Sequence, residues 1–259
     1  MNQSKNNVDA SLFITCIIDN FYPEVGESTA KVLDCFGVKL DFPKNQTCCG
    51  QPAFNSGYWK ESKKLAKKFI QDFENSNYII VPSGSCASMI KIFYKELLHD
   101  EENYTEKLNS ISNKTFEFSE FIVKILGIND LSIYTEKSDD VKEDLITYHD
   151  SCHLRRELNI KDEPRQLLSS IPNTKLVEMN QSEVCCGFGG TFSIKYPEIS
   201  SEMLKDKINN IKLSKANLVT SCDASCLMQI SGGLNKNNEN IKSKHISQII
   251  YQSLKGEIK

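Results

Sequence analysis

The chain predicts an α/β fold built from two duplicated, pseudo-symmetric domains. Each is expected to be a parallel sheet flanked by helices, with cysteines at the carboxyl ends of the strands. Three observations carry this expectation. The tripeptide Cys-Cys-Gly occurs twice, at Cys48-Cys49-Gly50 and Cys185-Cys186-Gly187. Each copy sits within the same order of short apolar runs and amphipathic stretches. Outer cysteines flank each copy, Cys16 and Cys86 in the first half and Cys152 and Cys226 in the second. A segment order repeated at this length marks an internal duplication, and strands alternating with helices imply parallel sheets covered on both faces.

In the first half, residues 11–18 (Ser-Leu-Phe-Ile-Thr-Cys-Ile-Ile) form an apolar run of strand length that ends near Cys16. Pro23-Glu24-Val25-Gly26-Glu27 opens a helix, because proline suits the first turn and acids suit the positive end of the dipole. Ala30, Leu33 and Cys35 carry it to Gly37, a suitable stop. Val38 to Phe42 reads as a second strand, Trp59 to Phe73 as a long amphipathic helix, and Tyr78 to Val81 as a third strand running toward Cys86. The lysines from Lys60 to Lys68 alternate with apolar residues and read as the solvated face of that helix.

The second half repeats this order. Leu145 to Tyr148 is a strand leading to Cys152, and Asp162 to Leu168 a helix with acids at its start. Thr174 to Met179 is a strand before the second Cys-Cys-Gly, Glu198 to Leu213 a helix, and Asn217 to Thr220 a strand leading to Cys226. The exits, Glu117 to Ile122 and Lys244 to Ile249, both read as helical. The charged, aperiodic residues between the halves give the division 1–128, first domain; 129–144, linker; 145–259, second domain.

With 259 residues, 39% hydrophobic and 25% charged, the chain has the composition of a globular protein with a substantial core. A net charge of −3 provides no basic excess to neutralise phosphates, which argues against nucleic-acid binding. The run from Leu12 to Ile18 is too short for a secretory or membrane-spanning segment, so a cytoplasmic protein is expected. Ten cysteines in a reducing compartment are ligands, nucleophiles or buried residues more often than disulfides.

Aligning the halves collects Cys16, Cys48, Cys49 and Cys86 in one set and Cys152, Cys185, Cys186 and Cys226 in the other. Four thiolates are the usual complement of an iron–sulfur cluster. They also suit a structural zinc, whose Cys₄ sites normally carry two Cys-x-x-Cys knuckles that neither half has, and redox-active thiols are a third reading. The glycine after each pair lets the backbone come close to a bound group. Cys35, on the amphipathic helix, is expected to be a small buried apolar residue. Cys222 stands outside the repeat as a fifth ligand or a spectator.

The chain resembles the cysteine-rich CCG proteins, and within them the lactate utilization protein A group of iron–sulfur oxidoreductases. The resemblance rests on Phe21-Tyr22-Pro23-Glu24-Val25-Gly26, Gln46-Thr47-Cys48-Cys49-Gly50-Gln51-Pro52-Ala53, Pro82-Ser83-Gly84-Ser85-Cys86, Tyr148-His149-Asp150-Ser151-Cys152-His153-Leu154 and Cys185-Cys186-Gly187-Phe188-Gly189-Gly190-Thr191-Phe192. It implies an iron–sulfur electron-transfer subunit of a complex oxidising L-lactate to pyruvate, active with a ferredoxin-like multi-cluster subunit and a third lactate-utilization subunit on a small 2-hydroxy acid. Glycolate-oxidase-type and heterodisulfide-reductase-type subunits belong to the same wider family, and a zinc scaffold module is the rival of a different class. The fuller family motif ends each half with Cys-x-x-Cys. Here Ser83 and Asp223 replace the first cysteine of that pair, so one four-cysteine [4Fe–4S] cluster per half is expected rather than a five-ligand type.

Beside Cys152 lie His149, His153, Arg155 and Arg156. Arginine binds carboxylates bidentately and histidine moves protons near neutral pH. His153 and Arg156 are the candidate catalytic residues among them, against the alternative of a histidine bonded to cluster sulfur and a solvated arginine. Gly187-Phe188-Gly189-Gly190 is followed by no Lys-Ser/Thr and forms no dinucleotide fingerprint, so packing of backbone against a cluster explains its glycines better than nucleotide binding.

Overall fold

The computed structural model describes residues 8–135 and 143–254. The first half contains β1 (Val8–Leu12), β2 (Val38–Asp41), β3 (Ile79–Val81) and β4 (Thr115–Glu117), in the spatial order β2-β1-β3-β4. The second contains β5 (Asp144–Tyr148), β6 (Thr174–Leu176), β7 (Leu218–Ser221) and β8 (Lys242–His245), in the order β6-β5-β7-β8. Every pairing is parallel, and the two halves share one topology. The expected duplicated α/β architecture is the one observed.

In each half the chain moves outward from the first strand to the second, then crosses back to pair the third on the other side. The strand order therefore reverses beside β1 and beside β5. Such a switch point opens a crevice at the carboxyl ends of the strands, and the cysteine-bearing loops leave from those ends.

The crossover helices bury the faces that their sequences prescribe. Helix Pro23–Cys35 starts with proline in its first turn and turns Val25, Val32 and Leu33 inward. Helix Trp59–Phe73 buries Ala66, Phe69, Ile70 and Phe73, with its lysines toward solvent. Each large apolar side chain buried in this way contributes about 1.5–3 kcal/mol before entropy is counted.

The halves are joined by a common core. Leu12, Val32, Leu33, Phe118 and Phe121 of the first half pack in one cluster with Ile146, Tyr148, Leu154, Leu167, Ile246 and Ile249 of the second. Helix Pro23–Cys35 packs against the last helix, Ile246–Leu254, and the turn Phe118–Glu120 packs against helix Asp162–Ser169. Across the second seam Lys124 Nζ lies 2.9 Å from Glu163 Oε1. Close approach also requires Gly84, since a Cβ there would stand 2.7 Å from Leu154 Cβ.

Three expectations are corrected. The strand placed at 11–18 is β1, Val8–Leu12, and Cys16 instead opens a helix, Cys16–Phe21. The strand placed at Thr174 to Met179 stops at Leu176. Glu117, Lys244 and His245, read as helical, end the edge strands β4 and β8, and the helices begin one residue later at Phe118 and Ile246. These edges are short and polar, Thr-Phe-Glu and Lys-Ser-Lys-His, and carry no apolar alternation. The stretch expected as linker is partly structured: Leu131 is buried, Ser132–Tyr134 forms a 3₁₀ turn, and Asp144 begins β5. Residues 136–142 of that stretch lie outside the described residues.

Candidate metal centre

Each cysteine set is assembled by three loops at the sheet's carboxyl edge. After β1 the chain runs through Phe13, Ile14 and Thr15 to Cys16. The loop carrying Cys48 and Cys49 is tied to that exit by Gln46, whose Nε2 donates to the Leu12 carbonyl at 2.7 Å and whose Oε1 accepts from Ile14 N–H at 2.9 Å. After β3, Ser83 caps the short helix Gly84–Ser88 that carries Cys86. In the second half Cys152 follows β5, Cys185 and Cys186 follow β6, and Asp223 caps the helix Ala224–Lys236 that carries Cys226.

The two Cys-Cys-Gly turns are built alike. Gly50 and Gly187 have φ of 89° and 88°, the left-handed region that glycine enters without cost. Their N–H groups donate to Cys48 Sγ and Cys185 Sγ, both at 3.4 Å. Their carbonyls accept from Ser62 Oγ at 3.0 Å and Ser200 Oγ at 2.8 Å. A Cβ on Gly187 would stand 2.6 Å from the Ser200 carbonyl oxygen. Glycine is thus required by both dihedral and space.

The sulfurs are gathered but unbonded. Cys16 Sγ lies 3.5 Å from Cys48 Sγ, and Cys49 Sγ lies 3.3 Å from Cys86 Sγ, well beyond the roughly 2.05 Å of a disulfide. All eight predicted cysteines line one cavity of about 270 Å³, together with His153, Ser83, Ser85, Ser151 and Asp223. Both sets therefore open on the same space.

Crowding makes the sulfurs share protons unequally. Cys48 is pushed down to about 3, first by the Cys16 thiol that donates to it, then by Cys49 and by the Gly50 N–H. Cys185 is pushed down to about 2 by the matching contacts with Cys152, Cys186 and the Gly187 N–H. Cys16 and Cys152 are raised by those same sulfur contacts and by burial, and Cys49 and Cys186 are raised too. Each set thus favours a thiolate on the first cysteine of its Cys-Cys pair. A cationic guest would displace the remaining protons, as thiolate ligation of a metal does. Soft donors, gathered in fours around a cavity with backbone N–H groups aimed at sulfur, fit an iron–sulfur cluster or a thiophilic metal.

His153 lines the cavity, with Nδ1 3.6 Å from Cys152 Sγ. Arg156 is exposed and is not among the cavity-lining residues. Arg155 Nη1 reaches Asp150 Oδ2 at 3.2 Å. Arg165, which sequence reasoning missed, grips Asp150 with two nitrogens at 2.9 and 2.8 Å and also bonds Glu178. Burial alone would raise the Asp150 carboxyl, and Arg165 holds it below its ordinary value. These arginines brace the β5 loop. Arg165 could not have been found from local motif spacing, because it stands on the following helix.

His149 is fully buried, and neither ring nitrogen has a hydrogen-bond partner among the described residues. One of its nitrogens groups with Cys186 Sγ and Cys226 Sγ, all within 4.8 Å of one another. Burial, then the charge of Lys207, pushes its pKa down to about 4. Lys207 is itself 1% exposed, and Nζ donates to the carbonyls of Gln181 at 2.8 Å and Ser182 at 3.1 Å. Neither nitrogen-bearing side chain has a counterpart in the first set.

Cys35 is exposed at the end of its helix, which corrects the expectation of a buried residue: the last turn faces solvent there. Cys222 is buried and accepts from Tyr148 Oη at 3.3 Å, away from the cavity lining. Ser83 and Asp223 do line the cavity. Asp223 Oδ2 accepts the Ser85 N–H of the other half at 2.8 Å, and the Cys222 carbonyl accepts the Gly84 N–H at 3.1 Å.

Comparison with known proteins agrees with this geometry. The cysteine-rich domain family CCG matches residues 10–91 and again 146–231, one match per half. The chain is 44% identical over 245 residues to lactate utilization protein A 1 of Bacillus anthracis (strain CDC 684 / NRRL 3495), covering 94% of this chain and 98% of that protein. Lactate utilization protein A 2 of Bacillus cereus (strain AH820) is 44% identical over the same shares. Lactate utilization protein A 1 of Bacillus mycoides (strain KBAB4) is 44% identical over 95% of this chain and 97% of its own length. With both halves matched and near full-length identity to these relatives, the chain belongs to the lactate utilization protein A group of the cysteine-rich CCG family.

Proposed function

We propose that the chain is an iron–sulfur electron-transfer subunit of a multi-component system that oxidises L-lactate to pyruvate. The observation that carries this reading is the pair of like-built four-cysteine sets, Cys16, Cys48, Cys49, Cys86 and Cys152, Cys185, Cys186, Cys226, opening on one cavity. Each set would hold one [4Fe–4S] cluster, and a bound cluster supplies one-electron transfer. The chain's own part is to present four soft donors per set, to aim the Gly50 and Gly187 N–H groups at sulfur, and to hold both sets on one rigid core. The relatives' name, lactate utilization protein A, supports the substrate class.

Oxidising lactate to pyruvate removes two electrons and two protons, and clusters that pass electrons one at a time suit relay to a further acceptor. We assign that role to a ferredoxin-like multi-cluster subunit, with a third lactate-utilization subunit completing the system on the small 2-hydroxy acid. His153, beside Cys152 in the cavity wall, is the candidate proton carrier; Arg156, on the exposed face, is better placed to meet a partner than a substrate in the cavity.

A single zinc in the second half is the competing reading, favoured by the nitrogen and two sulfurs of His149, Cys186 and Cys226. Metal and sulfide analysis of anaerobically purified protein separates the two. Iron with acid-labile sulfide supports the cluster reading, whereas zinc with no visible absorption overturns it. Lactate-dependent growth of a strain lacking the gene, compared with growth on glycolate, tests the substrate.

A further inference from the structure

The two cysteine sets have different surroundings at equivalent positions. Phe13 stands three residues before Cys16, and His149 three residues before Cys152. Ser62 and Ser200 both donate to the carbonyl of the Cys-Cys-Gly glycine, and seven residues beyond them stand Phe69 and Lys207. In the first half the two positions form an apolar pair, Phe13 edge-on to Phe69 with ring centroids 4.9 Å apart, in one cluster with Cys49 and Cys86. In the second half the same two positions hold an imidazole and an ammonium.

Both polar groups lack what burial normally demands. Neither nitrogen of His149 has a hydrogen-bond partner among the described residues, and buried donors and acceptors are rarely left so. The Lys207 ammonium is bonded to two backbone carbonyls and, at 4.0 Å, the Met179 sulfur, none of them an anion. A buried cation needs a counter-charge. Burial works against this ammonium, and of the side chains that support it Cys186 acts most strongly. An electron-rich centre on Cys152, Cys185, Cys186 and Cys226 would satisfy both deficits at once, and the first set has no comparable deficit to satisfy.

We infer that the two centres are unequal, and that His149 and Lys207 make the second hold an electron more tightly than the first. This rests on the cluster reading above and adds an order to it: an electron shared between the two resides on the second. Asp223 opposes the effect, since its charge also bears on Cys152 and Cys226. Its two oxygens, however, are occupied by donors from both halves, the Ser85 and Ser225 N–H groups and the hydroxyls of Ser83, Ser151 and Ser225. Lys207 has fewer partners, two carbonyls and one sulfur.

The experiment is an EPR-monitored redox titration of the full chain, purified anaerobically with its clusters. Two transitions are expected, the higher one absent in Cys185→Ala and the lower one absent in Cys48→Ala. Lys207→Met should lower the higher midpoint and leave the other unmoved, and Lys207→Arg should restore it. His149→Phe, which installs the first half's own residue type, should lower the same midpoint and serves if Lys207→Met does not fold. One shared midpoint, a higher midpoint that belongs to the first set, or a shift that appears in both or in neither overturns the inference. Wild-type protein without any cluster signal would instead overturn the cluster reading beneath it.

Discussion

Asp223 of the second half accepts the backbone N–H of Ser85 of the first at 2.8 Å. The same carboxylate caps its own helix through Ser225 N–H at 3.2 Å. One side chain thus holds the loop of Cys86 against the loop of Cys226.

Removing that carboxylate should loosen the junction of the halves. Asp223→Ala leaves two half-buried N–H groups without an acceptor, a loss of about 1–3 kcal/mol. Asp223→Asn keeps a carbonyl oxygen and should lose less. Urea unfolding of the two variants measures the difference, and equal stabilities would remove Asp223 from this role.

Backbone shape at the Cys-Cys-Gly turns is equally open to test. Gly187→Ala puts a Cβ on a residue with φ of 88° and within 2.6 Å of the Ser200 carbonyl oxygen. Left-handed backbone and overpacking together should destabilise by about 2–4 kcal/mol. Gly57→Ala has φ of 82° but nothing within 4 Å of its new Cβ, so it should show only the backbone part, about 1–2 kcal/mol. Thermal denaturation of both separates strain from clash.

Stability should also depend on pH through Glu117. Burial pushes its carboxyl from 4.5 up to about 8, and its Oε1 has no hydrogen-bond partner among the described residues. The folded state therefore binds this proton more tightly than the unfolded state. The associated stability is fully present below about pH 4.5 and falls as pH rises through about 8. Denaturation midpoints across this window should decline in the wild type and decline less in Glu117→Gln.

Thiol accessibility gives a further check. Cys35 is exposed and Cys222 is buried, so a maleimide should label Cys35 in the folded protein and Cys222 only after unfolding. Burial and the charge of Asp34 raise the Cys35 thiol, which makes labelling slower than for a free cysteine at the same pH.

Much of this arrangement was legible in the sequence. Pro23, Gly37 and the apolar face from Ala66 to Phe73 announce their helices, and the doubled Cys-Cys-Gly announces the repeat. The edge strands Thr115–Glu117 and Lys242–His245 were not legible, because one pairing partner and a polar surface leave no periodic signal. The eight cysteines that line the cavity all stand at matching places in the repeat. That both sets open on one cavity was not, since it depends on how the halves pack through Leu12, Phe118, Tyr148 and Ile246. In the sequence His149 stands out only as a neighbour of Cys152, while Lys207 is hidden within a helix of ordinary polar character.

The central claim is that each half binds a cluster through its four cysteines. Iron and acid-labile sulfide, measured together with low-temperature EPR on anaerobically purified wild type, Cys48→Ala and Cys185→Ala, test it most directly. Two four-iron clusters predict about eight iron and about eight sulfide per chain, with each variant losing one signal and about half of the metal. An iron-free wild type that stays folded and still supports lactate oxidation would contradict it.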